Sequence, residues 1–145
     1  MVLGIHNLLR WLVIVLAALA LVMAFTGWLG KKEWKEGDRR YGVMFTGALD
    51  LQLLIGLVLY FALSPVTRGA LSNMKAAMKE PSVRFFAVEH SFLMLVAVVL
   101  AHVGSVMVKK ASNDSKFRTA AIWYTLSTLA ILFAIPWWRP LMPGF

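Results

Sequence analysis

The sequence has 145 residues, of which 60% are hydrophobic, and it carries a formal net charge of +8 at pH 7. A soluble domain of this length could not bury so much apolar surface in a single core, so the mean hydropathy of +0.73 predicts an integral membrane protein. The absence of cysteine excludes disulfides, iron–sulfur clusters and thiolate metal sites.

Four apolar runs approach or exceed the roughly 20 residues that a helix needs to cross a bilayer. They cover about residues 3–29, 41–64, 84–108 and 118–137. A spanning segment must satisfy its own backbone hydrogen bonds, which favours helices. We therefore expect an all-α, integral membrane, antiparallel four-helix bundle, formed by a single domain over residues 1–145.

The first span opens with HNLLRW, in which His6, Asn7 and Arg10 project toward one side because they lie three and four positions apart. Ionisable residues inside a span are costly and indicate function by default. An imidazole nitrogen can bind haem iron, and a guanidinium can pair with a haem propionate. The simpler alternative for His6 is a histidine at the membrane interface.

Two of the three connections are strongly basic. The connections between spans 1 and 2 and between spans 3 and 4 together carry nine basic residues: Lys31, Lys32, Lys35, Arg39, Arg40, Lys109, Lys110, Lys116 and Arg118. The connection between spans 2 and 3 carries four: Arg68, Lys75, Lys79 and Arg84. Basic connections stay in the cytoplasm, so both termini are expected outside. The positive charge thus reflects topology and predicts no nucleic-acid partner.

The second span contains Asp50 and Gln52 within GALDLQLLIG. Both side chains can simply form hydrogen bonds between helices. The following connection places Leu71, Met74 and Met78 at i, i+3 and i+7 with lysines between them. This spacing predicts a short amphipathic helix over about residues 70–80 that lies on the membrane interface.

The third span carries Glu89, His90 and His102. The two histidines are twelve positions apart, which leaves them about 120° apart around a helix, so their side chains cannot both point into the same cleft. His90 shares a face with Met94 and with four small residues: Ala87, Ala97, Ala101 and Gly104. The small residues form either a groove beneath His90 or, as is more common, a close contact between helices.

Counting the helical rise of each span from its cytoplasmic end separates the polar residues into two groups by depth. His102 and Asp50 lie within one turn of each other in the inner half, so they are a candidate proton relay or a structural hydrogen bond. His90 and Arg10 share a level in the outer half, and His6 lies five residues further out. Glu89 is expected to pair with Arg10 or to orient a histidine.

Short motifs in all four spans resemble the small four-helix inner-membrane proteins of bacteria that are labelled cytochrome b-like. They are HNLLRW in span 1, LDLQLLIGLVLYF in span 2, RFFAVEH and LAHVG in span 3, and FAIPWW in span 4. The resemblance implies a haem b protein of the bacterial inner membrane, with periplasmic termini, that exchanges electrons with quinone or a respiratory partner. It implies His6 and His90 as the iron ligands. A second haem would need Met23 or Met44 opposite His102, or another subunit.

Two other classes of function remain open. The chain can be a cofactor-free accessory subunit of a membrane respiratory complex, or a small proton or ion pathway through Asp50, His102 and Glu89. The expected partners are the lipid bilayer, quinone or respiratory-chain subunits, and further copies of the chain. No catalytic residue is predicted, because no phosphate loop, nucleophile elbow or HExxH zinc motif occurs.

The nine-to-four charge asymmetry generates the first prediction. Single cysteines placed at Glu36 and Asp114 should both be labelled from the cytoplasmic side, because both lie in the strongly basic connections. Cysteine labelling or reporter fusions measure this directly. Labelling of either position from the outside would overturn the topology.

Overall fold

The fold is all-helical, as the sequence predicts. The structure is a computed structural model that describes residues 1–141, so the last four residues of the predicted domain lie outside the described part. Residues 1–141 form six helices and no strand. These are α1 (Val2–Leu29), α2 (Glu36–Leu63), α3 (Pro65–Ser72), α4 (Met74–Ala77), α5 (Pro81–Lys110) and α6 (Asn113–Ala134). The helices α1, α2, α5 and α6 are long and apolar enough to cross a membrane.

The four long helices pack around a shared core. The closest contact is between α5 and α6, α1 packs on α2 and α6, and α2 meets α5 only loosely. As a result, α1 and α5 lie at opposite corners of the group. The core contains residues from all four helices: Val13, Ala17, Phe45, Leu49, Ala97, Ala101, Ala121 and Tyr124.

Small residues allow α5 and α6 to approach closely. A Cβ atom added to Gly104 would lie 2.5 Å from the Cβ of Trp123, and Ala97 and Ala101 are fully buried. The Ser127 hydroxyl donates a hydrogen bond to the Ala97 carbonyl over 2.7 Å. The small residues on the face of His90 therefore form a helix contact, and the alternative of an open groove beneath the histidine is wrong.

The two strongly basic connections meet at one end of the four long helices, which we call the basic end. There the rings of Trp34 and Phe117 lie 4.9 Å apart, edge to face. The ammonium group of Lys116 donates to the Val108 carbonyl at the end of α5 over 2.7 Å. The opposite end, which we call the terminal end, holds Met1, the short helices α3 and α4, and residues 135–141.

Two helix termini at the terminal end are wound as π-helix. They are Leu59–Leu63, which ends α2, and Phe85–Glu89, which follows the first turn of α5. The two segments contact each other, since the Tyr60 hydroxyl donates to the Ala87 carbonyl over 2.8 Å. Such i→i+5 turns are rare in proteins, and those that occur are often found at functional sites. Here one of them directly precedes His90.

The structure differs from the sequence prediction in the connection between α2 and α5. Instead of one helix over residues 70–80, two short helices meet at Asn73, whose backbone leaves the helical region (φ −147, ψ 76). The Asn73 side chain accepts a hydrogen bond from the Ala76 backbone over 3.1 Å and so starts a new helix. The apolar side chains of Leu71, Met74 and Met78 are all exposed, on both sides of this break.

The last long helix is shorter than the predicted span, which ran to about residue 137. It ends at Ala134, and Ile135 is extended (φ −75, ψ 130). The ring of Pro136 disfavours the helical region for the residue before it, which explains the end point. The chain then crosses the terminal end, where the Leu141 carbonyl accepts hydrogen bonds from Arg10 and from the Trp11 indole.

The close contact of α5 and α6 generates the second prediction. Gly104→Ala should destabilise the protein by about 1–3 kcal/mol, because the new methyl group has to displace Trp123. Reversible unfolding in mixed micelles measures the free energy. Gly47→Ala is the matched control, since no neighbouring atom lies within 4 Å of an added Cβ there. Equal stability of the two variants would contradict this packing.

Candidate functional site

The two histidines nearest the terminal end meet across the group of helices. The ring centroids of His6 on α1 and His90 on α5 lie 6.3 Å apart, with an angle of 74° between the ring planes. The five-residue offset in depth expected from the sequence does not separate them. Two imidazoles that bind one metal at about 2 Å each have ring centroids about 6 Å apart. The separation of the rings therefore fits a shared metal between them.

The end of α6 orients the His90 ring. The Nδ1 atom of His90 lies 2.7 Å from the carbonyl oxygen of Ala134, the last residue of that helix. The last carbonyls of a helix have no partner within it, so this oxygen is available as an acceptor. When Nδ1–H donates to it, the lone pair resides on Nε2. A backbone carbonyl bound in this way is the usual support of a metal-binding histidine.

The His6 ring is held from α2. The buried amide of Gln52 donates to the His6 carbonyl over 3.0 Å and lies 3.5 Å from the His6 Nε2 atom. Gly56, one turn further along α2, leaves room for the ring, since an added Cβ would lie 3.3 Å from the His6 Cε1 atom. The buried His6 Nδ1 atom has no hydrogen-bond partner among residues 1–141. No group of the described chain therefore satisfies this ring nitrogen.

Arg10 is buried one turn from His6, with an exposed fraction of 8%. Its guanidinium donates to the Leu141 carbonyl, while its Nε atom has no partner in the described part of the chain. A buried guanidinium is costly unless it faces negative charge. Arg10 therefore adds an unbalanced positive charge to the surroundings of the two histidines.

The pairing of Glu89 with Arg10 that the sequence suggested is not formed. Glu89 instead bonds Arg84, with 2.8 Å between Oε1 and Nε. The cause is the π-helical segment Phe85–Glu89, because an i→i+5 turn brings residues five apart onto one face. Both side chains are more than one third exposed, so this is a surface ion pair of the terminal end.

Aromatic rings cover the outer side of His90. Phe85 and Phe86 have ring centroids 6.0 and 6.1 Å from it. Trp138, from the chain beyond α6, packs on Phe85 at 4.5 Å, and the Arg139 guanidinium lies 4.7 Å above the Phe86 ring. His90 is thus covered on this side by apolar surface.

The remaining histidine forms a second polar pair. The His102 Nε2 atom of α5 lies 2.7 Å from the Asp50 Oδ1 atom of α2, across the loosest contact of the four helices. The two side chains are 49% and 46% exposed. The pair therefore sits at the margin of the structure and is not sealed in its core.

A cavity of about 560 Å³ lies at the basic end, and we call it the basic-end cavity. His102, Met23 and Tyr124 line it, together with charged residues of both basic connections. A second cavity of about 400 Å³ lies beside it, around Met23, Lys32 and Phe117. Neither of these cavities reaches His6 or His90.

The sequence prediction named the two pairs but missed the groups that hold them. Gln52 was interpreted only as a bond between helices, although its i+4 neighbour Gly56 indicates a shared face of α2. No side chain indicates that the Ala134 carbonyl is an acceptor, and the only related feature of the sequence is Pro136, which predicts that the helix ends nearby. The Tyr124–Ser105 hydroxyl pair, 3.0 Å apart, was not considered.

Comparisons with family models, curated proteins and solved structures find no match to this chain. No group of three or more His, Cys, Asp or Glu side chains converges on a metal position within residues 1–141. His6 and His90 are two metal-ligating side chains that come together at the terminal end.

The Asp50–His102 contact generates the third prediction. A double-mutant cycle with Asp50→Ala and His102→Ala should give a coupling energy of about 0.5–3 kcal/mol, because each single change leaves one polar partner unpaired. Unfolding in mixed micelles measures the four free energies. Strict additivity would show that the pair contributes nothing to holding α2 against α5.

Proposed function

We propose that the four long helices form an antiparallel bundle that spans a bacterial inner membrane, with the basic end in the cytoplasm. Two contacts support opposite directions for neighbouring helices. Tyr60 near the end of α2 meets Ala87 near the start of α5, and His90 near that start meets Ala134 at the end of α6. Large apolar side chains on the outer faces, such as Phe92 and Phe133, support contact with lipid.

Within this bundle the protein binds one haem b through His6 and His90 and acts in membrane electron transfer. The observation that carries the proposal is the 6.3 Å separation of two histidine rings from opposite corners of the helix group. Both rings are partly buried among helices of low polarity, where an unpaired imidazole has a substantial cost. A metal that accepts a lone pair from each ring removes this cost.

Three further features of the chain fit a haem. The His6 Nδ1 atom is unsatisfied, the His90 tautomer is set by Ala134, and the Arg10 guanidinium supplies positive charge for a carboxylate. The nitrogen donors are therefore in place. Because neither described cavity reaches the two rings, entry of a porphyrin requires the neighbouring side chains to move apart.

Bound haem iron would supply a reversible one-electron couple. The chain itself has three tasks at this site. His6 and His90 bind, Gln52 and the Ala134 carbonyl orient them, and Phe85 with Trp138 keeps water away from the terminal side. Quinone, or a subunit of a respiratory complex, is the proposed electron partner.

The fourth prediction tests the ligands. His6→Ala and His90→Ala should each abolish the low-spin Soret absorption of protein purified from haem-replete cells, because either change removes one of the two nitrogen donors that would hold the iron. His102→Ala is the matched control, since His102 is bonded to Asp50 and lies outside the site, and it should retain the full spectrum. Circular dichroism checks that all three variants fold.

Two results would remove the haem proposal. One is wild-type protein that purifies colourless from haem-replete cells and takes up no haem when it is titrated. The other is a His102→Ala variant that loses the spectrum while His6→Ala keeps it. A stable, colourless protein that co-purifies with respiratory subunits would instead favour the cofactor-free accessory subunit.

A further inference from the structure

The basic-end cavity lies between the ends of all four long helices. Its mouth carries charged side chains from both strongly basic connections, including Glu36, Arg39 and Lys109. Its walls further in come from Ala20, Thr46 and other residues of the four helices, with His102 among them. The cavity therefore leads from the charged end of the molecule toward the His102–Asp50 pair.

One aromatic side chain explains why α2 and α5 stay apart there. Tyr124 of α6 places its hydroxyl group directly against Gly42 of α2, where an added Cβ would collide with it. The same hydroxyl is hydrogen-bonded to Ser105 of α5 over 3.0 Å. Tyr124 thus sits between the two helices and holds open a space that their direct contact would otherwise fill.

The size and the lining of this cavity favour water as its occupant. A volume of about 560 Å³ has room for on the order of ten or more water molecules. Polar groups occur along its length, from the charged mouth to the Tyr124–Ser105 hydroxyls and His102. Water fills cavities that offer several polar partners, whereas apolar cavities stay dry.

We propose that the basic-end cavity is a water-filled entry through which the His102–Asp50 pair exchanges protons with the aqueous phase at the basic end. When its imidazole is neutral, His102 donates Nε2–H to the Asp50 carboxylate, and Nδ1 carries a lone pair. A hydronium ion in the cavity gives its proton to Nδ1 and becomes water. The imidazolium formed is stabilised by the carboxylate, and the proton returns by the same route.

The charges around His102 are compatible with passage of a cation. From α2, Asp50 contacts His102 directly, and three charged side chains lie at the mouth of the cavity: Glu36, Asp38 and Arg39. From α5, the helix of His102, comes Lys109. From α6 come Tyr124 and Lys116, and the Lys116 ammonium group is hydrogen-bonded to the Val108 carbonyl. The part of α1 that lines the cavity is uncharged, with Ala20, Met23 and Ala24. Acidic and basic groups are thus mixed at the mouth, and the carboxylate of Asp50 contacts His102, which lines the cavity.

The first experiment uses the absence of cysteine, because each introduced thiol is then the only one in the protein. Ser105→Cys and Thr46→Cys, both on the cavity wall, are placed in lipid nanodiscs and treated with a charged, membrane-impermeant methanethiosulfonate. Thiols ionise and react only where water reaches them, so both should react at least about tenfold faster than the controls. Two independent wall positions guard against a variant that fails to fold.

The matched controls lie on α5, the helix that carries Ser105. Val99→Cys is on the outer face, with an exposed fraction of 59%, and Ala97→Cys is fully buried in the core. Gly37→Cys at the open basic end gives the reference rate for a thiol in water. If Ser105→Cys and Thr46→Cys react as slowly as Val99→Cys, the cavity is dry or filled by an apolar molecule such as a lipid chain, and the proposal is wrong.

The side of entry is tested in spheroplasts and inverted vesicles of the same cells. Ser105→Cys should be labelled only in the preparation in which Gly37→Cys is labelled, because both open to the basic end. Labelling from the opposite side would overturn the proposed direction of entry.

Proton exchange is measured on ¹⁵N-histidine protein in nanodiscs, with His102→Gln to assign the signal. After transfer to D₂O, the ring N–H signal of His102 should disappear by exchange with solvent, because water in the cavity reaches the ring. A ring N–H signal that persists after the exposed backbone amides have exchanged would show that no proton reaches the pair. None of these measurements requires haem, so a colourless protein that passes them would keep this inference and lose only the haem proposal.

Discussion

The close packing of α5 on α6 is the constraint on which the rest of the structure depends. It is possible only because Ala97, Ala101 and Gly104 present almost no side chain, which lets two helices meet at backbone distance. At one end this contact brings the Ala134 carbonyl to His90. At the other it sets Tyr124 beside Ser105 and against α2. The small residues between α5 and α6 thus position His90 against Ala134 and, through Tyr124, keep the cavity open.

The two ends of the molecule differ in how they treat polar groups. At the terminal end, aromatic rings pack around His90, and nitrogen atoms of His6 and Arg10 find no hydrogen-bond partner in the described chain. At the basic end, the polar groups line a large open space. Low polarity favours binding of a group that satisfies lone pairs, whereas an open, polar space favours water. One chain therefore places a histidine site with unsatisfied nitrogen atoms at one end and an open, polar cavity at the other.

The helical class and the four long apolar helices follow from the sequence because run length and composition alone determine them. Depth counting along ideal helices predicts the contact of His102 with Asp50, since helical rise is nearly constant, but it leaves a five-residue offset between His6 and His90. It failed for Glu89, because a π-helical turn changes which residues share a face. It also could not find the Ala134 carbonyl or the space beside Tyr124, which arise from where a helix ends and how two helices are spaced. The position of a free backbone carbonyl and the presence of a cavity cannot be read directly from residue types.

The acceptor that orients His90 belongs to the backbone, and this has a consequence for how the site can vary. The bond does not use the side chain at position 134, but Ala134 is fully buried, so only a residue as small as alanine can replace it without shifting the end of α6. Insertion or deletion of one residue before Pro136 would instead turn the last free carbonyl by about 100° around the helix axis and away from the imidazole. The orientation of His90 therefore depends on the number of residues in α6 as well as on the small size of the residue at position 134.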